Sequence, residues 1–176
     1  MRRMDELVQF AVEQFEKPLV GYAFHILQDV ERARDIVQET FLRLCKAEMS
    51  KVQDHLAPWL YTVCRNLALD IRKKEARMKH MSDVQLELRV SDGPSPSMSL
   101  EGREDAGVVL TAICSLPANQ QEAIRLKFHQ GLRYREIAEV MDISTSNVGF
   151  LIHKGINKLR ERLASHGAGL GEGGAV

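Results

Sequence analysis

Polar and basic side chains follow one another over a short stretch near the C-terminal end of the chain. The first part of this stretch is polar and uncharged: Ser144, Thr145, Ser146 and Asn147. The part that follows is basic: His153, Lys154, Lys158, Arg160 and Arg162. Hydroxyl and amide groups hydrogen-bond to base edges, whereas lysine and arginine chiefly hold phosphates. These residue types favour a nucleic-acid contact, although basic residues near a helix C-terminus also serve simply to compensate the helix dipole.

A second basic group lies between Pro58 and His80, where six basic residues stand against two acidic ones. The basic residues are Arg65, Arg72, Lys73, Lys74, Arg77 and Lys79. Residues 81–110 reverse this balance, with six acidic residues against two basic ones. The formal net charge of the whole chain is zero. The local asymmetry therefore indicates the kind of partner where the total charge does not.

Other chemistries find little support in the sequence. Cys45, Cys64 and Cys114 form no C-x-x-C pair, so we expect neither a zinc site nor a disulfide and interpret all three as small buried residues. The six histidines are scattered, and no Gly-rich phosphate loop or paired nucleophile and base is present. We therefore expect no enzyme, metal, cofactor or small-molecule substrate. With no apolar run near the roughly 18 residues of a membrane span, we expect a soluble, cytoplasmic protein.

The polar and basic stretch at the C-terminal end requires two helices and a tight turn. Apolar spacing predicts a short helix over 134–141 and a turn at Asp142-Ile143. Ser144 can cap a second, longer helix. That helix carries an apolar face: Val148, Leu151, Ile152, Ile156 and Leu159. This is the pattern of a helix-turn-helix, whose second helix enters the DNA major groove, although a helical hairpin with no DNA partner also fits it.

The N-terminal half is predicted to be helical as well. A first helix over about 4–16 is followed by Pro18, which we expect to interrupt or restart it before a second run to about Leu27. Asp29 can cap the next helix, and residues 46–57 are expected to form a loop with a short turn. Pro58 fits the first turn of a further helix. The predicted buried faces of these two helices are Ile36, Val37, Phe41 and Leu44, then Leu60, Val63, Cys64, Leu67, Ala68 and Ile71.

A polar stripe adjoins the buried face of the helix that Asp29 caps. Its residues recur at i, i+3, i+4 and i+7: Asp35, Gln38, Glu39 and Leu42. It offers two carboxylates to a basic partner. A solvated acidic face is the alternative for such a helix taken alone.

The sequence predicts an all-α protein of two small helical domains joined by a flexible acidic linker. Proline, glycine and serine at 91–97 are incompatible with a continuing helix. A helix with Ala106, Val109, Leu110 and Ile113 on one face ends before Leu116-Pro117, and Pro117 starts another that runs to Gly131. We predict domains at 1–81 and 104–166, a linker at 82–103 and a disordered tail at 167–176.

Three segments resemble those of extracytoplasmic-function (ECF) sigma factors of bacterial RNA polymerase. Residues 35–44, DIVQETFLRL, are similar to the family's polymerase-binding helix. Residues 59–70, WLYTVCRNLALD, resemble its promoter-melting helix, and the block from Leu116-Pro117 onward resembles its C-terminal domain. The three resemblances occur in the family's order and cover nearly all of the chain.

The resemblance implies a role for each segment. Core polymerase would be bound by Asp35, Gln38, Glu39 and Leu42. The minus-ten promoter element would be bound by Trp59, Tyr61, Arg65, Asn66, Arg72, Lys73, Lys74 and Arg77. The alternative for each of the two aromatic residues is a place in the core. Gln53, Asp54 and His55 would face a flipped base. The minus-thirty-five element would be bound by Tyr134, Ser144, Thr145, Ser146, Asn147, Phe150, His153, Lys154 and Lys158.

Partners and promoter preference follow from the same resemblance. It implies core RNA polymerase, promoter DNA and an inhibitory anti-sigma protein as partners, and a linker that threads through the polymerase or is a simple tether. Gly149-Phe150 stands where many relatives have a basic residue, and Asp142 stands where glycine is usual. We therefore expect an atypical promoter preference. The alternative function is a stand-alone helix-turn-helix transcriptional regulator.

Overall fold

The computed structural model describes residues 2–82, 109 and 111–169, and all regular structure in this part of the chain is helical. The chain divides into two compact units. The N-terminal unit contains α1 (Arg2–Leu27), α2 (Val30–Lys46), α3 (Met49–Val52) and α4 (Leu56–Ser82). The C-terminal unit contains a helical turn at 111–114, α5 (Ala118–Phe128), most of α6 (Tyr134–Met141) and α7 (Thr145–Gly169). The predicted all-α class is confirmed.

Some predicted boundaries fall beyond the described residues. Residues 83–103 of the predicted linker lie outside them, as do residues 170–176 of the predicted tail. The helix α7 continues to Gly169, three residues into the segment predicted as tail. In the helix predicted before Leu116, Ile113 is buried and Val109 is 40% exposed. Ala106 and Leu110 lie outside the described residues.

The prediction that Pro18 breaks the first helix was also wrong. Helix α1 runs without interruption through Pro18. A proline inside a helix costs about 3 kcal/mol because it removes one hydrogen bond and crowds the preceding turn. Side chains on both sides of it are fully buried, Ala11 before and Leu19 and Ala23 after. Packing of α1 against both α2 and α4 holds the helix together across the proline.

Local chemistry sets the start of α2. Asp29 has an extended backbone, and its carboxylate accepts a hydrogen bond from the Arg32 backbone N–H at 3.1 Å. The predicted N-cap is thus confirmed. The turn before it holds Gln28 at φ 56°, where its side-chain amide donates to the His25 carbonyl at 3.0 Å.

The core of the N-terminal unit lies where α1, α2 and α4 pack together. From α2 it takes Ala33, Ile36, Val37, Thr40 and Leu44, and Phe41 is half-buried. From α4 it takes Leu60, Tyr61, Cys64 and Ala68. Pro58 lies in the first turn of α4, as predicted, and Met49–Val52 forms a four-residue helix within the predicted loop. Cys64 is buried, but Cys45 and Cys114 are exposed, so the prediction that all three are buried was wrong.

The C-terminal unit is built on α5 and α7. Pro117 is the N-cap of α5, as predicted, but α5 ends at Phe128 and not at Gly131, so the predicted end was three residues too late. Gly131 has the expected left-handed conformation, with φ 68°. α5 packs on α7 at Gly155. A Cβ atom placed on Gly155 would lie 2.6 Å from Ile124 Cδ1 and 3.5 Å from Gln120 Cβ. The two helices therefore approach closely because residue 155 has no side chain.

Candidate nucleic-acid and protein interfaces

The predicted two-helix motif is present with the expected turn and cap. Asp142 adopts φ 55°, the left-handed conformation that a tight turn needs and that aspartate tolerates. Ser144 Oγ accepts a hydrogen bond from the Asn147 N–H at 3.2 Å, so Ser144 caps α7. Before α6, Glu136 Oε2 accepts a hydrogen bond from the Arg133 N–H at 2.6 Å. This second cap was not predicted, because an arginine at the N-cap position gives no capping signal by itself.

One face of α7 is apolar and buried, and the other is exposed. Val148, Leu151 and Ile152 are buried. The exposed side chains are those predicted to bind DNA, Ser144, Thr145, Ser146, Asn147, Phe150, His153 and Lys154, whereas Lys158 is half-buried. The structure thus brings nearly all of the predicted set to one accessible surface at the beginning of the helix.

Two lysine side chains of the C-terminal unit lie over aromatic rings. The Lys127 ammonium lies 5.4 Å from the centre of the Tyr134 ring, and the Lys154 ammonium lies 5.3 Å from the centre of the Phe150 ring. Both distances are within the range of a cation–π interaction. The Tyr134 ring also lies 3.7 Å from the position a Cβ atom would occupy on Gly149. The Tyr134 ring therefore lies beside Gly149 on α7.

Of the residues on α4 predicted to bind the minus-ten element, all but one are exposed or half-buried, and one is buried. Asn66, Arg72, Lys73, Lys74 and Arg77 are exposed, and Trp59 and Arg65 are half-buried. Tyr61 is only 1% exposed, and its ring packs edge-on against Tyr22 with 5.2 Å between ring centres. Burial raises the pKa of the Tyr61 hydroxyl above its ordinary value. The prediction of Tyr61 as a DNA contact was wrong, because this ring belongs to the core.

Helical geometry groups the exposed residues of α4. At 3.6 residues per turn, Trp59, Asn66, Lys73 and Arg77 recur along one line of the helix. This line lies opposite the side that buries Cys64 and Ala68. Gln53, Asp54 and His55 are exposed in the turn between α3 and α4. The first turn of α4 is thus flanked by the residues predicted to face a flipped base.

The predicted polymerase-binding stripe lies on the exposed side of α2. Asp35 and Gln38 are exposed, and Leu42 is 56% exposed. Glu39 is half-exposed, and its Oε1 accepts a hydrogen bond from Arg43 Nε at 2.9 Å. The stripe therefore combines an accessible apolar side chain with a carboxylate that already has a basic neighbour on its own helix.

A groove of about 700 Å³ runs between α1 and α2 beside this stripe. Its apolar lining comes from Val12, Val20, Val37, Phe41 and Leu42, and its polar lining comes from Glu16, Lys17, Arg34, Gln38 and Cys45. Gln38 and Leu42 thus belong to both the stripe and the groove. Sequence spacing gave no signal for the groove, because four of its ten lining residues come from α1 and the other six from α2.

An ion pair joins α2 to α4. Arg32 Nη1 pairs with Glu75 Oε1, and Arg32 Nε lies 3.5 Å from Asp29 Oδ2. The two residues are more than forty positions apart in sequence, so no local pattern predicts the pair. It ties the start of α2 to the basic end of α4.

Neither a metal-ligating cluster nor a membrane-spanning helix is found among the described residues. Residues 2–82, 109 and 111–169 contain no group of three or more metal-ligating side chains. Of the helices in the described part of the chain, none has the length and apolar character to cross a membrane.

Two family models match the chain. The model described as Sigma-70 region 2 matches residues 11–78, and the model described as Sigma-70, region 4 matches residues 106–159. The first match contains α2 and most of α4, and the second contains α5, α6 and the beginning of α7. A stand-alone regulator has no need of the first region, so the pair of matches favours a sigma factor.

Curated relatives include several proteins of one class. ECF RNA polymerase sigma factor SigM of Bacillus subtilis is 29% identical over 159 residues, which cover 89% of this chain and 93% of SigM. ECF RNA polymerase sigma factor SigE of Mycolicibacterium smegmatis is 27% identical over 167 residues, or 94% of this chain. The match spans 63% of the length of SigE.

A solved structure has a similar fold. It is the sigma factor RpoE in complex with the anti-sigma factor NepR from Bartonella quintana. The TM-score is 0.62 and the sequence identity is 24%, over 89% of this chain and 96% of the compared chain. The similarity supports the all-helical architecture described above.

Proposed function

Since the chain belongs to the ECF sigma factor family of bacterial RNA polymerase, we propose that it binds core RNA polymerase and directs sequence-specific promoter recognition and DNA melting. The observation that carries the proposal is the order of the two matched regions, each on its own helical unit. The family consists of transcription initiation factors, so catalysis of RNA synthesis belongs to the polymerase. We place the protein in the cytoplasm, where it meets the polymerase and DNA.

Core polymerase binds the stripe Asp35, Gln38, Glu39 and Leu42 in this proposal. The exposed Leu42 and the adjoining groove supply apolar area, and apolar area is the main favourable term in protein association. Polar residues surround it, as at the rim of protein interfaces. Gln38 and Leu42 belong to both the stripe and the groove, which supports α2 as the docking helix.

The pair between Glu39 and Arg43 does not prevent docking. Ion pairs between exposed side chains contribute about 0–1 kcal/mol, and both side chains here are about half exposed, 47% for Glu39 and 51% for Arg43. Glu39 can therefore exchange Arg43 for a basic residue of the polymerase at little cost. The carboxylate then gives orientation to an interface whose affinity comes chiefly from apolar contact.

The basic part of α4 binds the minus-ten element and stabilises its opened strand. Lys73, Arg77 and Arg72 are exposed and supply the positive charge that a single-stranded backbone requires. Trp59 and Asn66 lie on the same line of the helix as Lys73 and Arg77, so base contacts and backbone contacts can alternate along it. Gln53, Asp54 and His55 are the candidates to hold an extruded base.

The minus-thirty-five element is bound by the beginning of α7. The capped first turn presents hydroxyl and amide groups, and Lys154 and Lys158 follow on the next turns. A helix-turn-helix presents the N-terminal residues of its second helix to base edges. An anti-sigma protein as inhibitory partner belongs to the same proposal, in keeping with the family.

Reconstitution tests the function directly. The purified chain is mixed with bacterial core polymerase, and the holoenzyme is assayed for transcription start sites on a library of genomic fragments. We expect start sites that share two sequence elements and that are absent with core polymerase alone. If the chain neither binds core polymerase at moderate salt nor produces such start sites, the proposal fails. Binding to a palindromic duplex as a dimer, without polymerase, supports the stand-alone regulator instead.

A further inference from the structure

Within the first three turns of α7, all of which the structure describes, Phe150 is the one large apolar side chain on the exposed face. It is 57% exposed, whereas the apolar residues on either side of it, Val148, Leu151 and Ile152, are turned into the core. At helical spacing its neighbours are polar or basic: Ser146, Asn147, His153 and Lys154. The ring therefore stands at the centre of the surface assigned above to base contacts.

Core packing does not account for this position. A single exposed apolar residue is common on protein surfaces and by itself needs no explanation. Here, however, the residue lies within two turns of the capped N-terminus of a recognition helix, where side chains meet base edges. Lys154 lies over the ring, with its ammonium 5.3 Å from the ring centre, and limits where the ring can point.

A hydrocarbon ring can recognise only one feature of the major groove. Hydrogen-bond donors and acceptors on base edges are matched by polar side chains, whereas the C5-methyl group of thymine is matched by apolar ones. We propose that Phe150 is a specificity-determining residue that recognises a thymine methyl group in the minus-thirty-five element. The proposal rests on the function proposed above and adds to it the base that this residue selects.

The neighbours of Phe150 have complementary roles in this arrangement. Asn147, one turn earlier, has the amide that pairs with adenine, so thymine and adenine can be recognised on adjacent positions. Lys154 supplies a phosphate contact and carries no sequence information of its own.

The test uses holoenzyme reconstituted with the full chain and a promoter found by start-site mapping. Each thymine of the minus-thirty-five element is replaced, one at a time, by deoxyuridine, which lacks only the methyl group. We expect one such replacement to weaken binding of the wild-type holoenzyme about fourfold, the equivalent of about 0.8 kcal/mol for one buried methyl group. Phe150→Ala should bind the thymine promoter more weakly and should no longer distinguish thymine from deoxyuridine.

Phe128→Ala is the matched control, because Phe128 is an equally exposed phenylalanine of the same unit, at 60%. This variant should keep the wild-type discrimination. Since Phe150 is uncharged, Phe150→Ala should leave the salt dependence of binding unchanged, whereas Lys154→Ala should lower its slope by about 1.

The possible results distinguish failure of the Phe150 proposal from failure of the proposed sigma function. If the holoenzyme starts at defined promoters but binds every deoxyuridine duplex as tightly as the thymine duplex, the inference is wrong and the sigma function stands. Discrimination that persists in Phe150→Ala, or an element without thymine, overturns it as well. If the holoenzyme gives no promoter-specific start sites, both the Phe150 proposal and the proposed sigma function are wrong.

Discussion

The close approach of α5 and α7 predicts opposite effects for the same substitution at two glycines of one helix. Alanine favours a helix over glycine by about 1 kcal/mol at either position. At Gly149 an added Cβ atom has its nearest neighbour at 3.7 Å, an ordinary contact. At Gly155 it would lie 2.6 Å from Ile124 Cδ1, about 1 Å inside the contact distance of two carbon atoms. Gly149→Ala should therefore stabilise the C-terminal unit, and Gly155→Ala should not.

The difference between the two variants isolates the steric term. The helix-propensity gain is common to both and cancels, so the difference equals the free energy of overpacking, about 1–3 kcal/mol. Ile124 is 5% exposed, which leaves its side chain little room to move aside. Ile124→Val removes the Cδ1 atom and by itself costs about 0.5–1.5 kcal/mol. Combined with Gly155→Ala, it should recover about 1 kcal/mol or more as a coupling free energy.

Hydrogen exchange of the α5 and α7 amides in the full chain measures these free energies. It reports on the C-terminal unit alone, whereas fluorescence of Trp59, the single tryptophan, reports on the N-terminal unit. Equal stability of Gly149→Ala and Gly155→Ala would contradict the argument. Additive effects of Gly155→Ala and Ile124→Val would show that the two side chains do not meet.

Three further predictions concern the N-terminal unit. Glu39→Arg should weaken binding to core polymerase by about tenfold or more, because like charges then face each other. Glu6→Arg, the same charge change on α1, should leave this binding unchanged. If the two variants compete equally well with the wild-type chain for core polymerase, Glu39 is not part of the interface. Arg72→Ala with Lys73→Ala should slow open-complex formation and flatten its salt dependence while polymerase binding is unchanged; a loss of polymerase binding would refute the division of roles between α2 and α4. Burial raises the pKa of Cys64 to about 12, so near pH 8 iodoacetamide should modify Cys45 and leave Cys64 intact until the chain unfolds. Mass spectrometry of the labelled chain checks this, and rapid labelling of Cys64 in the folded chain would contradict its burial.

Features set by neighbouring residues could be predicted from the sequence. The caps at Asp29 and Ser144 each depend on a backbone N–H three residues away, and both are present. The left-handed conformations of Gly131 and Asp142 follow from residue type in the same way. The exposed face of α7 follows from helical periodicity, since its buried residues recur three and four apart.

Features set by contacts between helices could not be predicted. Tyr61 is buried because Tyr22 of α1 lies against it, and Pro18 stays within a helix because α1 packs on two other helices. Gly155 shows no local sign of its role, because Ile124 lies on another helix. In each case the structural cause is a residue more than thirty positions away in sequence or the packing of one helix on another. A short stretch of sequence therefore does not predict it.

The ion pair between α2 and α4 bears on how the two proposed interfaces of the N-terminal unit are related. Glu75 must lie on the side of α4 that faces α2 in order to meet Arg32. Successive residues of a helix are rotated by about 100°, so Lys73 and Arg77, two positions before and after Glu75, lie about 160° from it. Burial of Cys64 and Ala68 sets this rotation of α4, and the ion pair lies on the same side of the helix, so both cations point away from α2. Because an exposed pair adds little stability, packing of α4 in the core sets the direction in which its basic end is proposed to meet DNA.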